Sequence, residues 1–177
     1  MTRCAGMTLW ELLVTLVVVG TVAGLGVPSF EALGSDSRQT ADINAFVTAI
    51  QFARSEAAKR GRAVVLCNTV DLARCENGAI GYDVGWMVFV NEDGARPPQR
   101  SAVEPLLYRY EPASDGPIMS NRRLFEFRAF RKRSTNGTVT FCDRRGARAA
   151  RALIVSYTGR PRVSTSGPGG RPLACPT

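Results

Sequence analysis

The sequence contains no histidine and only two lysines, Lys59 and Lys132, among its 23 basic residues. Histidine is the commonest acid–base residue of enzymes, so the usual general base is absent. The sequence also contains no G-x-S-x-G elbow, no Walker-type loop and no cluster with the spacing of metal ligands. These absences predict a protein that is not an enzyme, with no catalytic residue, no cofactor and no metal site.

Charge is nearly absent from the N-terminal part, where Glu11 is the only acidic or basic residue between positions 4 and 30. The apolar run over 7–30 reaches the roughly 20 residues that span a bilayer. A cleaved secretory signal is the alternative, but its small residues follow the apolar run, whereas Ala5 and Gly6 precede it here. The pattern therefore predicts a membrane-spanning helix over 7–30.

The stretch Gly6-Met7-Thr8-Leu9-Trp10-Glu11 resembles the prepilin signal of type IV pilins and type II secretion pseudopilins. The resemblance implies that a prepilin peptidase removes residues 1–6 as a leader, between Gly6 and Met7, and that the new N-terminal amine is methylated. It also implies that Glu11 acts in assembly.

Physical chemistry supports a role for this glutamate. A carboxylate in hydrocarbon costs about 2.5–3.5 kcal/mol on insertion scales, so such a residue usually has a partner. The expected partner is the α-amino group of Met7 in a neighbouring subunit. The alternative is that Glu11 lies close enough to the membrane edge to reach water.

Of the five cysteines, Cys4 lies in the predicted leader. An even number of cysteines in an exported domain predicts disulfides in an oxidising compartment. Three pairings are possible, and proximity alone favours Cys67 with Cys75 and Cys142 with Cys175. A metal site is the competing interpretation, which the absence of histidine and of a C-x-x-C pair disfavours.

Residues 31–61 predict an amphipathic helix that continues the N-terminal one, because apolar residues recur at spacings of three and four and Gly61 ends the pattern. The predicted apolar stripe is Ile43, Phe46, Val47, Ile50, Ala53 and Ala57. The charged residues expected to project away from it are Arg38, Asp42, Arg54, Lys59 and Arg60.

Residues 62–177 change to short strand-like runs separated by turn residues. The predicted strands are Ala63–Asn68, Gly85–Asn91, Leu106–Glu111, Leu124–Phe130, Thr138–Cys142 and Leu153–Tyr157. The second of these, followed by Glu92-Asp93-Gly94, resembles the strand-and-turn signature of the GspH/FimT branch of pilin-like proteins. The predicted fold class is α+β and type IV pilin-like. A long N-terminal helix, half membrane-spanning and half amphipathic, packs on an antiparallel β-sheet domain.

Basic residues are concentrated in the last third of the chain. Residues 7–120 carry 9 basic and 13 acidic side chains, whereas residues 121–177 carry 13 basic and 2 acidic ones, a net charge of +11. Within this region, Arg160 and Arg162 would face the same side of an extended chain, roughly 6.5 Å apart. Pro161 cannot donate a backbone hydrogen bond, which predicts an edge strand or a loop.

Two exposed arginines at this spacing suit phosphate oxygens, which a guanidinium can bind with two hydrogen bonds. The stretch Gly159-Arg160-Pro161-Arg162 also resembles the G-R-x-R motif of FimT-type minor pilins, which bind DNA during uptake by naturally competent bacteria. The resemblance implies that Gly159, Arg160 and Arg162 bind double-stranded DNA. Further basic residues would widen this surface if they converge on it: Arg144, Arg145, Arg148 and Arg151, with Arg131, Lys132 and Arg133 before them. A solvated face, or one that meets acidic lipid or another subunit, is the alternative.

Two structural functions stay open. The first is a FimT-type minor pilin of a type IV pilus that captures DNA for natural transformation. The second is an H-type pseudopilin of a type II secretion system with no nucleic-acid ligand. Both imply other pilin or pseudopilin subunits as partners, a single pass through the bacterial inner membrane with the head over 62–177 in the periplasm, and incorporation into a pilus or pseudopilus. The basic last third favours the first.

Overall fold

The computed structural model describes residues 8–71, 73–76, 81–129 and 134–176, and only the backbone of residues 23 and 25–30. The chain divides into two compact units, Met1–Ser37 and Arg38–Thr177. Helix α1, Leu9–Arg60, contributes residues to both. The described part of the first unit is helical from Leu9 onward, and all the strands among the described residues lie in the second.

Eight strands follow α1 in the described part of the second unit. They are β1 Ala63–Asn68, β2 Trp86–Asn91, β3 Leu106–Tyr110, β4 Ile118–Ser120, β5 Leu124–Phe127, β6 Gly137–Phe141, β7 Arg151–Val155 and β8 Pro161–Ser164. The 3-10 turns found among the described residues are Tyr82–Val84, Gly146–Arg148 and Pro168–Gly170.

The strands form two antiparallel sheets of four strands each. Sheet A has the order β3-β2-β1-β5, and sheet B has the order β4-β6-β7-β8. The predicted α+β class, with a long N-terminal helix packed on antiparallel strands, is confirmed. The division into two sheets was not predicted.

Several strand bounds differ from the predicted ones, and the two largest differences at the C-terminal ends are in β7 and β5. The predicted strand Leu153–Tyr157 ends at Val155, because a tight turn over 156–160 begins directly afterwards. The predicted strand Leu124–Phe130 ends at Phe127, and Phe130 lies outside the described residues. The short strand β4 was missed altogether.

The apolar stripe of α1 forms the centre of the core, as its spacing predicts. Phe46, Ile50 and Ala53 are fully buried among side chains of both sheets. The Phe46 ring lies 5.0 Å from the Trp86 ring and 6.0 Å from the Phe141 ring, measured between centroids. Trp86 is therefore a core residue, and one helix face joins sheet A to sheet B.

Asp42 was predicted to project away from the core, and this was wrong, since the residue is completely buried. Its spacing explains the error: Asp42, Phe46 and Ala49 are separated by four and three positions, so they share one helix face. Its carboxylate accepts hydrogen bonds from the Tyr110 hydroxyl at 3.1 Å and from the backbone of Ala113 and Ser114 at 2.8 and 2.9 Å. The loop after β3 is thereby fixed to the helix.

The Asp42 contact also changes the acidity of its phenol partner. Burial, followed by the hydrogen bond to the Asp42 carboxylate, raises the pKa of Tyr110 to about 12. The Tyr110 ring stacks on Trp86 with centroids 4.6 Å apart. The polar contact and the aromatic core are therefore adjacent.

The face of sheet A that points away from α1 is covered by loops. Cys67 is disulfide-bonded to Cys75 and packs with Met87 and Phe89 in a second, smaller cluster. The Gln99 side chain exchanges two hydrogen bonds of 3.2 Å with the backbone of Cys75, which joins the loop after β1 to the loop after β2.

The second disulfide joins Cys142, directly after β6, to Cys175 near the C-terminus. Both pairings agree with the choice made from proximity. The bridge returns the chain after β8 to sheet B and closes a span of 33 residues. Such a closure limits the conformations of the unfolded chain, which is its main stabilising effect in the chain-entropy account.

We expect Asp42→Ala to lower the free energy of unfolding by about 3 kcal/mol, because three buried or half-buried donors lose their acceptor. Urea denaturation followed by circular dichroism measures the loss. The matched control is Glu111→Ala, an exposed carboxylate next to β3, which should change stability by less than about 0.5 kcal/mol. Equal losses in both variants would contradict the assigned role of Asp42.

Replacing both Cys142 and Cys175 by alanine should lower the free energy of unfolding by about 3–4 kcal/mol in the chain-entropy account. Denaturant midpoints of the variant and the wild type measure this change. The control uses the C67A/C75A variant, which keeps the Cys142–Cys175 disulfide. Chemical reduction of this variant breaks that same cross-link and should lower its free energy of unfolding by a similar amount. No loss in either comparison would contradict the role of the bridge.

Candidate functional site

The turn between β7 and β8 holds the predicted Gly159-Arg160-Pro161-Arg162 stretch. The Gly159 amide donates to the Ser156 carbonyl at 2.8 Å, and the Ser156 amide donates to the Arg160 carbonyl at 3.0 Å. The Ser156 hydroxyl accepts from the Arg160 amide at 3.1 Å. Gly159 has a φ of +72°, which L side chains rarely adopt. The residue type at this position is therefore set by the turn.

Arg160 and Arg162 are both exposed. Arg160 directly precedes β8, and Arg162 pairs across the ladder with Ile154. Strand β8 is at the edge of sheet B, with Pro161 as its first residue, which is one of the two placements predicted. Among the described residues, neither guanidinium has a hydrogen-bond or ion-pair partner. Both are therefore available to an external anion.

Two residues from distant parts of the chain lie against this turn. A Cβ atom built on Gly159 would be 3.1 Å from Arg54 Cδ and from Ser134 Oγ. The Ser134 amide donates to the Tyr157 carbonyl at 2.8 Å, which joins the segment before β6 to the same turn. Arg54 lies on α1 and is half-buried. Arg54 was predicted to project away from the apolar stripe of α1. That prediction did not include the contact of its side chain with the β7–β8 turn.

Sequence reasoning missed Arg54 and Ser134 as neighbours of the basic motif. Arg54 flanks the apolar stripe at the position after Ala53, a placement typical of an ordinary surface residue of an amphipathic helix. Ser134 follows Arg131, Lys132 and Arg133, which lie outside the described residues. No local signal in the sequence indicates that either residue meets Gly159.

The other predicted arginines lie at the opposite end of β7. Arg144, Arg145 and Arg148 belong to the connection between β6 and β7, and Arg151 begins β7. The four intervals between Arg151 and Val155 span roughly 13 Å of strand. The structure therefore forms two separate basic groups and does not bring all the predicted arginines together.

Several members of this second group already have partners. Arg145 Nε donates to Asp143 Oδ2 at 2.8 Å, and Arg144 makes an exposed ion pair with Asp115 at 3.3 Å. Burial by itself raises the Asp143 pKa, but the hydrogen bonds from the Arg145 side chain and amide outweigh it and hold the pKa below its usual value. Arg151 donates to the carbonyls of Ala149 and Ala150.

Arg148 is exposed and has no partner among the described residues. The second group is therefore less available to an anion than Arg160 and Arg162 are.

The predicted assembly residue Glu11 lies in the first turn of α1. Its backbone amide donates to the Thr8 hydroxyl at 3.3 Å, so Thr8 caps the helix. Every described side chain from Leu9 to Val22 is exposed, including Trp10 at 74%. Within the described residues, no helix combines the length and the hydrophobicity needed to cross a membrane. The predicted cleavage site, Gly6 and Met7, lies outside those residues.

Acidic and cysteine side chains do not gather into a metal site in the part of the chain that the structure describes, where no group of three or more of them could hold an ion. An open cavity of about 530 Å³ is lined by Met119, Arg122, Arg123 and Pro176, among others. It lies on the β4 side of sheet B, away from Arg160 and Arg162. The edge strand β8 with its preceding turn is therefore the strongest candidate site.

Comparison with known proteins agrees with this fold. Residues 42–159 match the family model described as Type II transport protein GspH. The matched region ends at Gly159, directly before Arg160. No curated protein sequence matches the chain.

Two crystal structures of the type IV minor pilin FimU from Pseudomonas aeruginosa strain PAO1 have a similar fold. The form in space group P65 is 20% identical with a TM-score of 0.51, over 72% of this chain and 90% of that chain. The form in space group P21 is 21% identical with a TM-score of 0.53, over 82% of this chain and 97% of that chain. Identities this low indicate a shared fold only.

Proposed function

Since the chain belongs to the GspH family of pilin-like proteins, we propose that it is a minor pilin of a type IV pilus that binds DNA during natural transformation. The predicted membership of the GspH/FimT group is confirmed. A member of this family is a structural subunit that assembles with other pilin subunits into a pilus or pseudopilus. The proposed role is structural and ligand-binding, without a catalytic residue or cofactor.

The observation that carries DNA binding is the exposure of Arg160 and Arg162 on the edge strand β8 without partners among the described residues. A guanidinium is planar, always charged and offers five donors, so it favours an anion with two oxygens that can each accept a hydrogen bond. Backbone phosphates meet this requirement in any DNA sequence. The site is therefore expected to bind double-stranded DNA without sequence preference.

The charge of the surrounding region supports the same ligand. Residues 121–177 carry a net charge of +11, whereas the rest of the chain after the leader is net acidic. Arg148, with Arg144 beside it, would contact the duplex at a second place along sheet B. Because such binding releases counterions, its affinity should fall steeply with salt.

At the other end of the chain, we infer processing and membrane insertion of the kind that the prepilin signal implies. A prepilin peptidase would cut between Gly6 and Met7, and the new amine would be methylated. The exposed apolar side chains of Leu9–Val22 would lie in the inner membrane before assembly and in the filament core afterwards. Glu11 would then pair with the Met7 amine of a neighbouring subunit, with the head in the periplasm.

A type II secretion pseudopilin is the second candidate. The specific observation in its favour is the description of the matched family model, Type II transport protein GspH. Such a subunit would use the same N-terminal assembly signal and would need no nucleic-acid ligand. The two candidates differ in what Arg160 and Arg162 contact.

We expect the full chain, kept in solution with a non-ionic detergent, to bind a 20-base-pair duplex with micromolar affinity near 0.1 M salt. The double variant R160Q/R162Q should bind at least about 10-fold more weakly and reduce the slope of log affinity against log salt by about 1.8, since two phosphate contacts are lost. Fluorescence anisotropy across a salt series measures both quantities.

The control variant R62Q/R109Q removes the same charge from two exposed arginines outside sheet B and should change the affinity by less than about threefold. R144Q/R148Q tests the other end of β7 and should have an intermediate effect. Absence of DNA binding by the wild type, or equal effects of R160Q/R162Q and R62Q/R109Q, would favour the pseudopilin.

Glu11→Gln and Glu11→Val separate two roles of this residue in cells. Glutamine can replace glutamate in the capping pattern that begins at Thr8, but it removes the charge. Valine removes both the charge and the capping side chain. If the charge drives assembly, both variants should reduce incorporation into filaments by roughly 10-fold or more. Immunoblots of sheared filaments and of whole cells measure incorporation, with Glu31→Gln as the control. Normal assembly of the glutamine variant would contradict the charge pairing with Met7.

A further inference from the structure

Arg54 extends from α1 across the turn that carries the basic motif. Its Cδ and Nε atoms would be 3.1 and 3.2 Å from a Cβ atom on Gly159. Because glycine has no side chain, the arginine occupies the space that any other residue would fill. The Arg54 guanidinium therefore begins against the residue that directly precedes Arg160 in the turn.

The Arg54 guanidinium has hydrogen-bond donors without an acceptor among the described residues. Arg54 is half-buried, and no hydrogen bond or ion pair of its guanidinium is present among the described residues. Its Cδ and Nε atoms lie against the turn while the residue as a whole stays partly exposed, which is usual for a long basic side chain. An anion at this position would supply acceptors for donors that the protein leaves unpaired.

Electrostatics favours an anion here for a second reason. Two positive charges that come close together repel each other, and an anion bound between them is attracted to both. The Ser134 hydroxyl, 3.1 Å from the same Gly159 position, adds a neutral donor. Two guanidinium groups and one hydroxyl, contributed by three segments of the chain, suit the oxygens of one phosphate group.

We propose that Arg54 and Ser134 complete the phosphate site of Arg160, so that Arg54 and Arg160 bind one and the same backbone phosphate. The inference rests on the proposed DNA binding and adds the helix α1 to the binding surface. Arg162, two residues further along β8, binds a separate phosphate. Besides suiting the positive φ of the turn, glycine at position 159 leaves room for Arg54, since a Cβ atom there would stand only 3.1 Å from Arg54 Cδ.

The test compares Arg54→Gln with Arg38→Gln in the full chain, using the same 20-base-pair duplex and salt series. Arg38 is an exposed arginine of the same helix without a partner among the described residues. R54Q should bind roughly 5- to 10-fold more weakly and lower the salt slope by about 0.9, the value for one phosphate contact. R38Q should stay within about twofold of the wild type.

A second variant, Arg54→Met, keeps the apolar stem against the turn and removes only the charged end. It should show the same loss as R54Q, so a failure of R54Q to fold leaves the inference testable. Circular dichroism and the urea midpoint report the folded state of each variant. Ser134→Ala should weaken binding by about two- to threefold with an unchanged salt slope, because a neutral donor is lost.

Sharing of one phosphate is tested by combining substitutions. The effects of R54Q and R160Q should be less than additive, because either change disrupts the same contact, whereas R54Q and R162Q should be additive. If the wild type binds DNA and R160Q/R162Q loses it, but R54M and R38Q are equivalent, the inference is overturned and the proposed function stands. If the wild type does not bind DNA, both are overturned.

Discussion

The packing of one helix face against both sheets is the constraint on which the second unit depends. Phe46 lies at its centre, with ring centroids of Tyr82, Trp86, Phe125 and Phe141 between 5.0 and 6.1 Å away. Trp86 and Phe125 belong to sheet A, and Phe141 belongs to sheet B. The helix face thus contacts both sheets, and the two are also joined directly where the Glu126 amide of β5 donates to the Thr135 hydroxyl just before β6 at 3.1 Å.

Burial of this face also carries polar residues into the core, and these connect the loops to the helix. Asp42 holds the chain after β3, and the Gln39 amide donates to the Phe141 carbonyl at the end of β6 at 3.2 Å. In the connection between β2 and β3, the buried Glu104 carboxylate accepts from the Glu92 and Ser101 amides at 2.7 and 2.8 Å and so holds that connection together. The buried carboxylates of Asp42 and Glu104 are therefore structural, because each accepts from backbone donors that would otherwise lack an acceptor.

The arginines of the basic motif differ from these buried carboxylates because their side chains are exposed. Backbone hydrogen bonds close the turn at 156–160. The side chains of Arg160, in this turn, and of Arg162, on β8, therefore take no part in holding it together. At the other end of β7, Asp143 and Asp115 neutralise two arginines of a group that resembles the first in composition. The two basic groups therefore differ in their acidic neighbours, since Arg160 and Arg162 have no ion-pair partner among the described residues.

Much of this molecule is determined by local sequence pattern. The stripe from Ile43 to Ala57, the strand Ala63–Asn68 and the paired cysteines were predictable, because helical and strand periodicities and short loop closures are properties of neighbouring residues. The edge position of Pro161 follows from its missing donor. What only the tertiary structure decided is which distant residues meet: Asp42 with the loop after β3, and Arg54 with Gly159. Such contacts depend on how a helix and two sheets are placed relative to one another, and that placement arises from packing of the whole core rather than from any single segment.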